Sequence, residues 1–140
     1  FLAIAASLEH LAEVFDNPSA KVLAASLDRA NARYLNDNRG PSRKVNEIDT
    51  RGSHYFLARY WAEELASQQE NTNLNSRFKV LADRLGAQGV TIESELLAAQ
   101  GSPVDLGGYY MPDETKAVMS MRPSVTLNAA LQELKGELKI

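Results

Sequence analysis

Apolar residues recur every three to four positions along most of this chain, a spacing that predicts α-helices. Three long runs of this kind open the sequence: residues 1–15, Pro18 to about Leu35, and Asp49 or Thr50 to about Gln69. The third run has the highest content of aromatic side chains, so we predict that it forms the central helix of the core. The fold class is therefore mainly α.

Shorter helical patterns follow in the second half of the chain. They predict a fourth helix from about Asn75 to Leu85 with Gly86 just beyond its end, and a fifth that Thr91 caps and Gly101 ends. Two further helices are predicted, over residues 113–121 and from Val125 to about Leu138. Between the fifth and the sixth, residues 103–112 contain two glycines and two prolines. This stretch is predicted to be an extended strand or arm lying on another part of the protein.

These patterns divide the chain, as a single helical segment over residues 1–140, into five parts. They are a helical hairpin (1–38), a basic loop (39–51), a group of helices (52–101), an extended arm (102–112) and C-terminal helices (113–140). The chain opens without an initiator methionine and already in helical periodicity, with no capping residue ahead of it. We therefore expect it to be a fragment of a longer protein.

Composition narrows the class of protein. A chain of 140 residues fits one domain with a sizeable core. Cysteine is absent, which excludes disulfides and cysteine-based zinc sites and fits a cytoplasmic location. No run approaches the roughly 18 apolar residues that span a membrane, and the apolar opening lacks the basic region of a signal peptide.

Charge is distributed unevenly along the chain. The net charge is −3, but residues 29–51 contain six basic and three acidic side chains, which makes that segment +3 and the remainder −6. A local basic surface on an acidic protein favours a small anionic ligand over nucleic acid. Solvated helix charges with no ligand are the alternative interpretation.

The sequence offers no catalytic constellation and no metal site. The two histidines, His10 and His54, are 44 residues apart and belong to no metal-binding motif. His10 is interpreted as a structural residue. No GxSxG, GxGxxG or P-loop pattern occurs, and the paired glutamates at 63/64 and 93/95 are expected to be solvated on polar helix faces. We therefore assign no catalytic and no metal-binding residue.

One group of residues is suited to holding an anion. Arg43, Lys44 and Arg51 lie just before or within the first turn of the predicted third helix, beside Ser42, Ser53 and His54. Arginine forks match phosphate oxygens, and hydroxyls and helix-start amides add further donors. Gly52 indicates either the close approach of a neighbouring backbone or ligand, or a tolerated frayed turn.

Several separated blocks of the sequence resemble the C-terminal portion of the monomeric, NADP-dependent isocitrate dehydrogenases of bacteria. The blocks occur in the order of that family and cover nearly the whole chain: FLAIAASLEHLA (1–12), PSRKV (41–45), RGSHYFLA (51–58), VDLGGYY (104–110) and MRPS (121–124).

The resemblance implies a helical C-terminal segment of a larger α/β enzyme that oxidatively decarboxylates isocitrate with NADP and Mg²⁺ or Mn²⁺. In that family the catalytic groups and the metal ligands lie elsewhere in the chain, so the segment alone would be inactive. The residue carried over is Arg43, which matches an arginine that holds the 2′-phosphate of NADP. The implied partner is the rest of the same polypeptide, and no nucleic acid or membrane is expected. The alternative is a helical interaction module, which is expected to self-associate through apolar faces.

Overall fold

The computed structural model describes residues 1–138 and contains, in that range, seven α-helices and no strand. The mainly α fold class is therefore confirmed. The helices are α1 (Leu2–Val14), α2 (Pro18–Asn36), α3 (Thr50–Ser67), α4 (Thr72–Ala87), α5 (Gly89–Ala98), α6 (Glu114–Met121) and α7 (Val125–Leu138).

The first two helices pack against each other across a short turn. Asp16 turns the chain with a left-handed φ of 46°, and the side chain of Asn17 then accepts a hydrogen bond from the Ala20 amide at 3.1 Å. Pro18 occupies the first position of α2, where its missing N–H leaves no hydrogen bond unmade. The sequence at this turn therefore determines both where α1 ends and where α2 begins.

The aromatic helix α3 lies at the centre of the core, as predicted. It packs against α2 on one side and α4 on the other, and it also contacts α5. Its buried side chains include Tyr55, Phe56, Leu57, Tyr60 and Leu65. Each large apolar side chain removed from water in this way contributes about 1.5–3 kcal/mol to folding.

Close packing explains the glycine in the first turn of α3. A Cβ atom at Gly52 would lie 3.2 Å from Cγ2 of Ile48, and Gly52 itself is buried. Of the two interpretations of Gly52, the structure therefore supports close approach of a neighbouring group. That group is the Ile48 side chain of the preceding loop, not a backbone or a ligand.

Three predicted helix boundaries were wrong. The Asn71 side chain caps α4 by accepting from the Leu74 amide at 3.0 Å, so this helix begins earlier than Asn75. Gly86 lies inside α4, and Thr91 lies inside α5. The break between the two helices falls instead at Gln88, whose side chain does not cap α5.

The predicted arm, residues 102–112, is irregular and exposed, so the prediction of a strand was wrong while that of an extended arm remains. Asp105 accepts from the Gly107 amide at 2.8 Å, and the Asp113 amide donates to the Leu106 carbonyl at 2.7 Å. These bonds close the arm on itself and leave no edge paired to another strand. Within residues 1–138, no helix combines the length and the apolar character needed to cross a membrane.

Candidate anion-binding site

The basic loop (residues 39–51) joins α2 to α3 and contains a tight turn. The Ser42 amide donates to the Ile48 carbonyl at 2.6 Å, and the Lys44 amide donates to the Ser42 hydroxyl at 3.1 Å. Asn46 completes the turn with a left-handed φ of 67°, a conformation that asparagine tolerates better than most residues. The side chains of residues 43–47 are all exposed as a result.

Arg43 lies on the outer side of this turn. Its side chain is exposed, and it makes no hydrogen bond or ion pair with any other residue in the described range. Lys44 forms one long ion pair, from Nζ to Oε1 of Glu47 at 3.8 Å, and its side chain is 80% exposed. Exposed pairs of this length contribute little, so both cations are available to an anion.

Arg51 is occupied by the protein itself. Its Nε and Nη2 donate to Oδ2 of Asp49 at 2.9 and 2.6 Å, and its Nη1 donates to the Ser120 carbonyl at 3.0 Å. Burial alone would raise the pKa of Asp49, but the hydrogen bonds from Arg51 and the Gly52 amide outweigh burial and lower it. Arg51 therefore holds the start of α3 against α6 and is not a free anion-binding group.

The expectation that the first amides of α3 are open to phosphate was wrong. Asp49 is the N-cap, and its Oδ1 accepts from the amides of Arg51 and Gly52 at 2.9 and 3.1 Å. Ser53 is buried, and its hydroxyl donates to the Arg39 carbonyl at 2.7 Å. The carboxylate of the cap therefore takes the position at the helix start that an anion would otherwise occupy.

The other polar members of the predicted group are also engaged. The Ser42 hydroxyl donates to Oε2 of Glu47 at 2.5 Å, and the exposed ring of His54 lies edge-on to Phe1 with centroids 5.0 Å apart. Arg39, which lies in the same loop but outside the predicted group, stacks its guanidinium 4.1 Å from the centre of the Phe56 ring. Of the predicted group, the structure leaves Arg43 and Lys44 available.

A residue distant in sequence holds the turn in place, and sequence reasoning missed it. Gln100, just after α5, accepts from the Asn46 amide through Oε1 at 2.8 Å and donates through Nε2 to the Glu47 carbonyl at 3.0 Å. Gln100 lies 54 positions from Asn46 and 53 from Glu47, so no local sequence pattern predicts these contacts.

A cavity of about 280 Å³ lies beneath the turn, but it does not suit a phosphate. Its walls are formed partly by the carboxylates of Glu47, Asp49 and Glu93, and partly by apolar side chains (Ile48, Phe56, Leu96 and Leu97). Negative charge and an apolar lining both disfavour an anion there. Any anion bound by the loop is therefore expected on the outer side, where Arg43 points to solvent.

The paired glutamates are not the solvated groups that the sequence indicated. Arg33 forms ion pairs with both, from Nη2 to Oε2 of Glu63 at 2.7 Å and from Nη1 to Oε1 of Glu64 at 3.2 Å. Arg29 also pairs with Glu64, at 2.8 Å. Glu95 accepts from the Ser124 hydroxyl at 2.6 Å. These carboxylates join helices to each other, so that prediction was wrong for three of the four; Glu93 lies on the cavity wall.

Metal-binding side chains do not gather in the described part of the chain. No group of three or more His, Asp or Glu side chains is placed to hold a metal ion within residues 1–138. His10 and His54 are both exposed.

The fold and the loop together define a class: a helical segment that presents an exposed arginine from a hydrogen-bonded turn, without a cluster of metal-binding side chains in residues 1–138. The chain belongs to the monomeric isocitrate dehydrogenase family, because the family model with that description matches residues 1–132.

The chain is also similar to proteins named isocitrate dehydrogenase [NADP]. The chain is 51% identical to the isocitrate dehydrogenase [NADP] of Azotobacter vinelandii over 134 residues, and 50% identical over 134 residues to isocitrate dehydrogenase [NADP] 2 of Psychrobacter sp. (strain 13A). It is 45% identical over 136 residues to isocitrate dehydrogenase [NADP] 2 of Mycobacterium tuberculosis. These matches cover 96%, 96% and 97% of the chain, but the chain spans 18% of the length of each relative.

Proposed function

We propose that this chain is the C-terminal part of an NADP-dependent isocitrate dehydrogenase, which oxidatively decarboxylates isocitrate to 2-oxoglutarate. Membership of the family supports this activity for the complete protein, and the names of relatives at about 50% identity support NADP as the coenzyme. The segment would be inactive by itself. The catalytic groups and the ligands of Mg²⁺ or Mn²⁺ would lie in the rest of the polypeptide.

Within that enzyme, we propose that Arg43 binds the 2′-phosphate of NADP. The observation that supports this role is the exposed guanidinium of Arg43, which has no internal partner among residues 1–138 and projects from a turn fixed by hydrogen bonds. An arginine fork matches a phosphate and is not neutralised by a nearby carboxylate here. Lys44 adds positive charge next to it, while Arg51 contributes by holding the loop.

NADP supplies a hydride acceptor when it is bound, and the residues of this segment would act only in binding it. The basic loop has four cationic side chains and two carboxylates, a balance of +2 before a phosphate arrives. The phosphate distinguishes NADP from NAD, so a contact made only to it would determine the choice of coenzyme without taking part in hydride transfer.

The rest of the polypeptide is the proposed partner of the exposed apolar surfaces. Ten large apolar side chains on α1 or just after it, on the arm and on α6 remain more than half exposed, which is unusual for so many such groups. They are Leu2, Val14, Phe15, Val104, Tyr109, Tyr110, Met111, Val118, Met119 and Met121.

The second candidate function is a helical interaction module, which the same exposed surfaces favour. Sedimentation velocity of the full-length protein at several concentrations distinguishes the two. An interaction module keeps these surfaces exposed there and self-associates as the concentration rises, whereas surfaces covered by the rest of the polypeptide do not cause association.

The test of the proposed coenzyme site is Arg43→Ala in the full-length enzyme. Loss of a charged hydrogen bond to phosphate is expected to weaken NADPH binding about 5- to 150-fold and to leave NADH binding nearly unchanged. Arg122→Ala is the matched control, because Arg122 is exposed and forms no ion pair in the described part of the chain. An unchanged preference for NADPH over NADH in Arg43→Ala would remove Arg43 from the site.

A further inference from the structure

We infer that Gln100 is a positioning residue for coenzyme selection: its side-chain amide holds the turn that carries Arg43. This inference rests on the proposed role of Arg43 and assigns a second residue to the same discrimination. Gln100 does not lie in the basic loop and would not touch the coenzyme. It would act through the backbone of Asn46 and Glu47.

The geometry leaves one orientation for the Gln100 amide. Its Oε1 accepts from the Asn46 N–H at 2.8 Å, and its Nε2 donates to the Glu47 carbonyl at 3.0 Å. A reversed amide would place an oxygen against an oxygen and a nitrogen against an N–H. One side chain therefore satisfies a donor and an acceptor on consecutive residues of the turn, in the same way that a paired backbone strand would.

The turn needs an external partner of this kind. Its internal bonds run from the Ser42 amide to the Ile48 carbonyl, from the Lys44 amide to the Ser42 hydroxyl, and from the Glu47 amide to the Lys44 carbonyl at 3.3 Å. They leave the Asn46 N–H and the Glu47 carbonyl without a partner inside the turn. Asn46 also has a φ of 67°, which costs free energy for any residue other than glycine. The two bonds from Gln100 fall at this strained position.

Gln100 is itself well anchored. It follows α5, whose side chains Ile92 and Leu96 are 0% and 4% exposed. The next residue, Gly101, adopts a φ of 79° and lies so close to the turn that a Cβ atom there would be 3.2 Å from Cγ1 of Val45. The polar and the apolar contacts therefore fix the turn to the core at the same place, two to four residues beyond Arg43.

Attachment of the turn to the core affects coenzyme binding, because an exposed loop that is not held in place must become ordered when the ligand binds. A guanidinium that is held in place before the phosphate arrives loses less conformational entropy on binding. Loss of the two Gln100 hydrogen bonds should therefore weaken the interaction of Arg43 with the 2′-phosphate. It should not affect the parts of the coenzyme that NADP and NAD share.

The experiment measures dissociation constants of NADPH and NADH for the full-length enzyme by fluorescence titration. Gln100→Ala removes both hydrogen bonds, and Gln100→Met removes them while keeping a side chain of similar length. Both variants are expected to weaken NADPH binding about three- to tenfold, the effect of one ordinary hydrogen bond, and to leave NADH unchanged. Gln69→Ala is the control, since Gln69 is exposed and makes no side-chain hydrogen bond within residues 1–138.

Two further measurements test whether Gln100 acts through Arg43. In the double variant Arg43→Ala/Gln100→Ala, NADPH binding should be no weaker than in Arg43→Ala alone, because the turn then has no guanidinium to position. Hydrogen–deuterium exchange in residues 43–49 should be faster in Gln100→Ala than in the parent, since the Asn46 amide loses its acceptor.

The possible outcomes separate this inference from the proposed function. If Arg43→Ala leaves coenzyme preference unchanged, the proposed site fails and the inference fails with it. If Arg43→Ala weakens NADPH but Gln100→Ala and Gln100→Met do not, the positioning role alone is overturned. Equal losses for NADPH and NADH, or parental selectivity in Gln100→Met, would also overturn it, because they indicate general damage or side-chain packing.

Discussion

The contact between α5 and α7 provides a direct test of how this segment is stabilised. Glu95 on α5 accepts from the Ser124 hydroxyl at 2.6 Å and the Thr126 hydroxyl at 2.7 Å, and from the Thr126 amide at 3.2 Å. The Ser124 hydroxyl in turn accepts from the Leu127 amide at 3.0 Å, which is the bond of a helix N-cap. Glu95 thus supports the cap of α7 from a neighbouring helix, and its negative charge also favours that helix end.

We predict that Glu95→Ala lowers the free energy of unfolding by about 2 kcal/mol. A hydrogen bond to a charged group contributes roughly 1.5–3 kcal/mol, and partial exposure of Glu95 reduces the sum of the three bonds. Ser124 is 1% exposed, so its hydroxyl would also lose its acceptor in a buried position. Glu95→Gln keeps one acceptor oxygen and is expected to cost about half as much.

The same contact predicts a dependence on pH. Hydrogen bonds from Ser124 and then Thr126 lower the pKa of Glu95 below its ordinary value of 4.5, against a smaller opposing effect of burial. A carboxylate with a lowered pKa in the folded state stabilises the protein above its unfolded pKa. The contribution of Glu95 should therefore be complete above about pH 4.5 and be lost as pH falls through the lower folded value.

The assay is urea denaturation of the 140-residue chain, followed by circular dichroism, at neutral pH and at several acidic pH values. Glu93→Ala is the matched control, because Glu93 lies on the same helix and forms no hydrogen bond to α7 in the described range. A shift in midpoint at constant slope reports stability. Equal effects of Glu95→Ala and Glu93→Ala, or an acid profile that Glu95→Gln leaves unchanged, would refute this account of the α7 cap.

Other predictions concern the core and follow from packing alone. Leu85→Ala should cost about 3 kcal/mol, because Leu85 is 0% exposed and its removal leaves a cavity; a loss under about 1 kcal/mol would show that the site collapses. Gly89→Ala should destabilise by about 1–2 kcal/mol, since its Cβ would lie 2.9 Å from the hydroxyl of the buried Tyr55. Gly136→Ala, with no atom within 4 Å of the added methyl, should instead stabilise α7 by about 0.5–1 kcal/mol. Thermal denaturation should show a lower Tm for Gly89→Ala and a higher Tm for Gly136→Ala than for the parent chain.

The sequence alone predicted most of the fold. Apolar periodicity identified seven helices, and the aromatic content of α3 identified the central one. The errors fell where two roles of glycine conflict. Gly86 suggested a helix end, but it lies within α4, while Gly89, which the sequence analysis did not interpret, is buried at the start of α5 against Tyr55. Sequence does not show whether a glycine ends a helix or allows another group to approach it.

The candidate site was predicted less completely, for a different physical reason. Charge and position in a polar loop indicated the group Arg43, Lys44 and Arg51, and the resemblance to the family selected Arg43 from it. Whether Arg51 shares the contact was left open by the sequence; in the structure Arg51 and the α3 amides are already engaged, because Asp49 accepts from them and Ser120 accepts from Arg51 across 69 residues. Sequence spacing shows which groups are near an anion site. It does not show which of them the protein has already used.

The short helix α5 connects the basic loop to the start of α7. Its buried residues Ile92 and Leu96 fix it in the core, while Glu95 reaches α7 and Gln100, just beyond its end, reaches the basic loop. Because the buried residues keep α5 in place when either polar contact is removed, the two contacts should fail independently. Loss of Glu95 should then lower stability without changing coenzyme selection, and loss of Gln100 should change selection at little cost in stability. A Glu95→Ala enzyme with reduced preference for NADPH would show instead that α5 moves as a unit, and that the loop depends on the whole helix packing as well as on one amide.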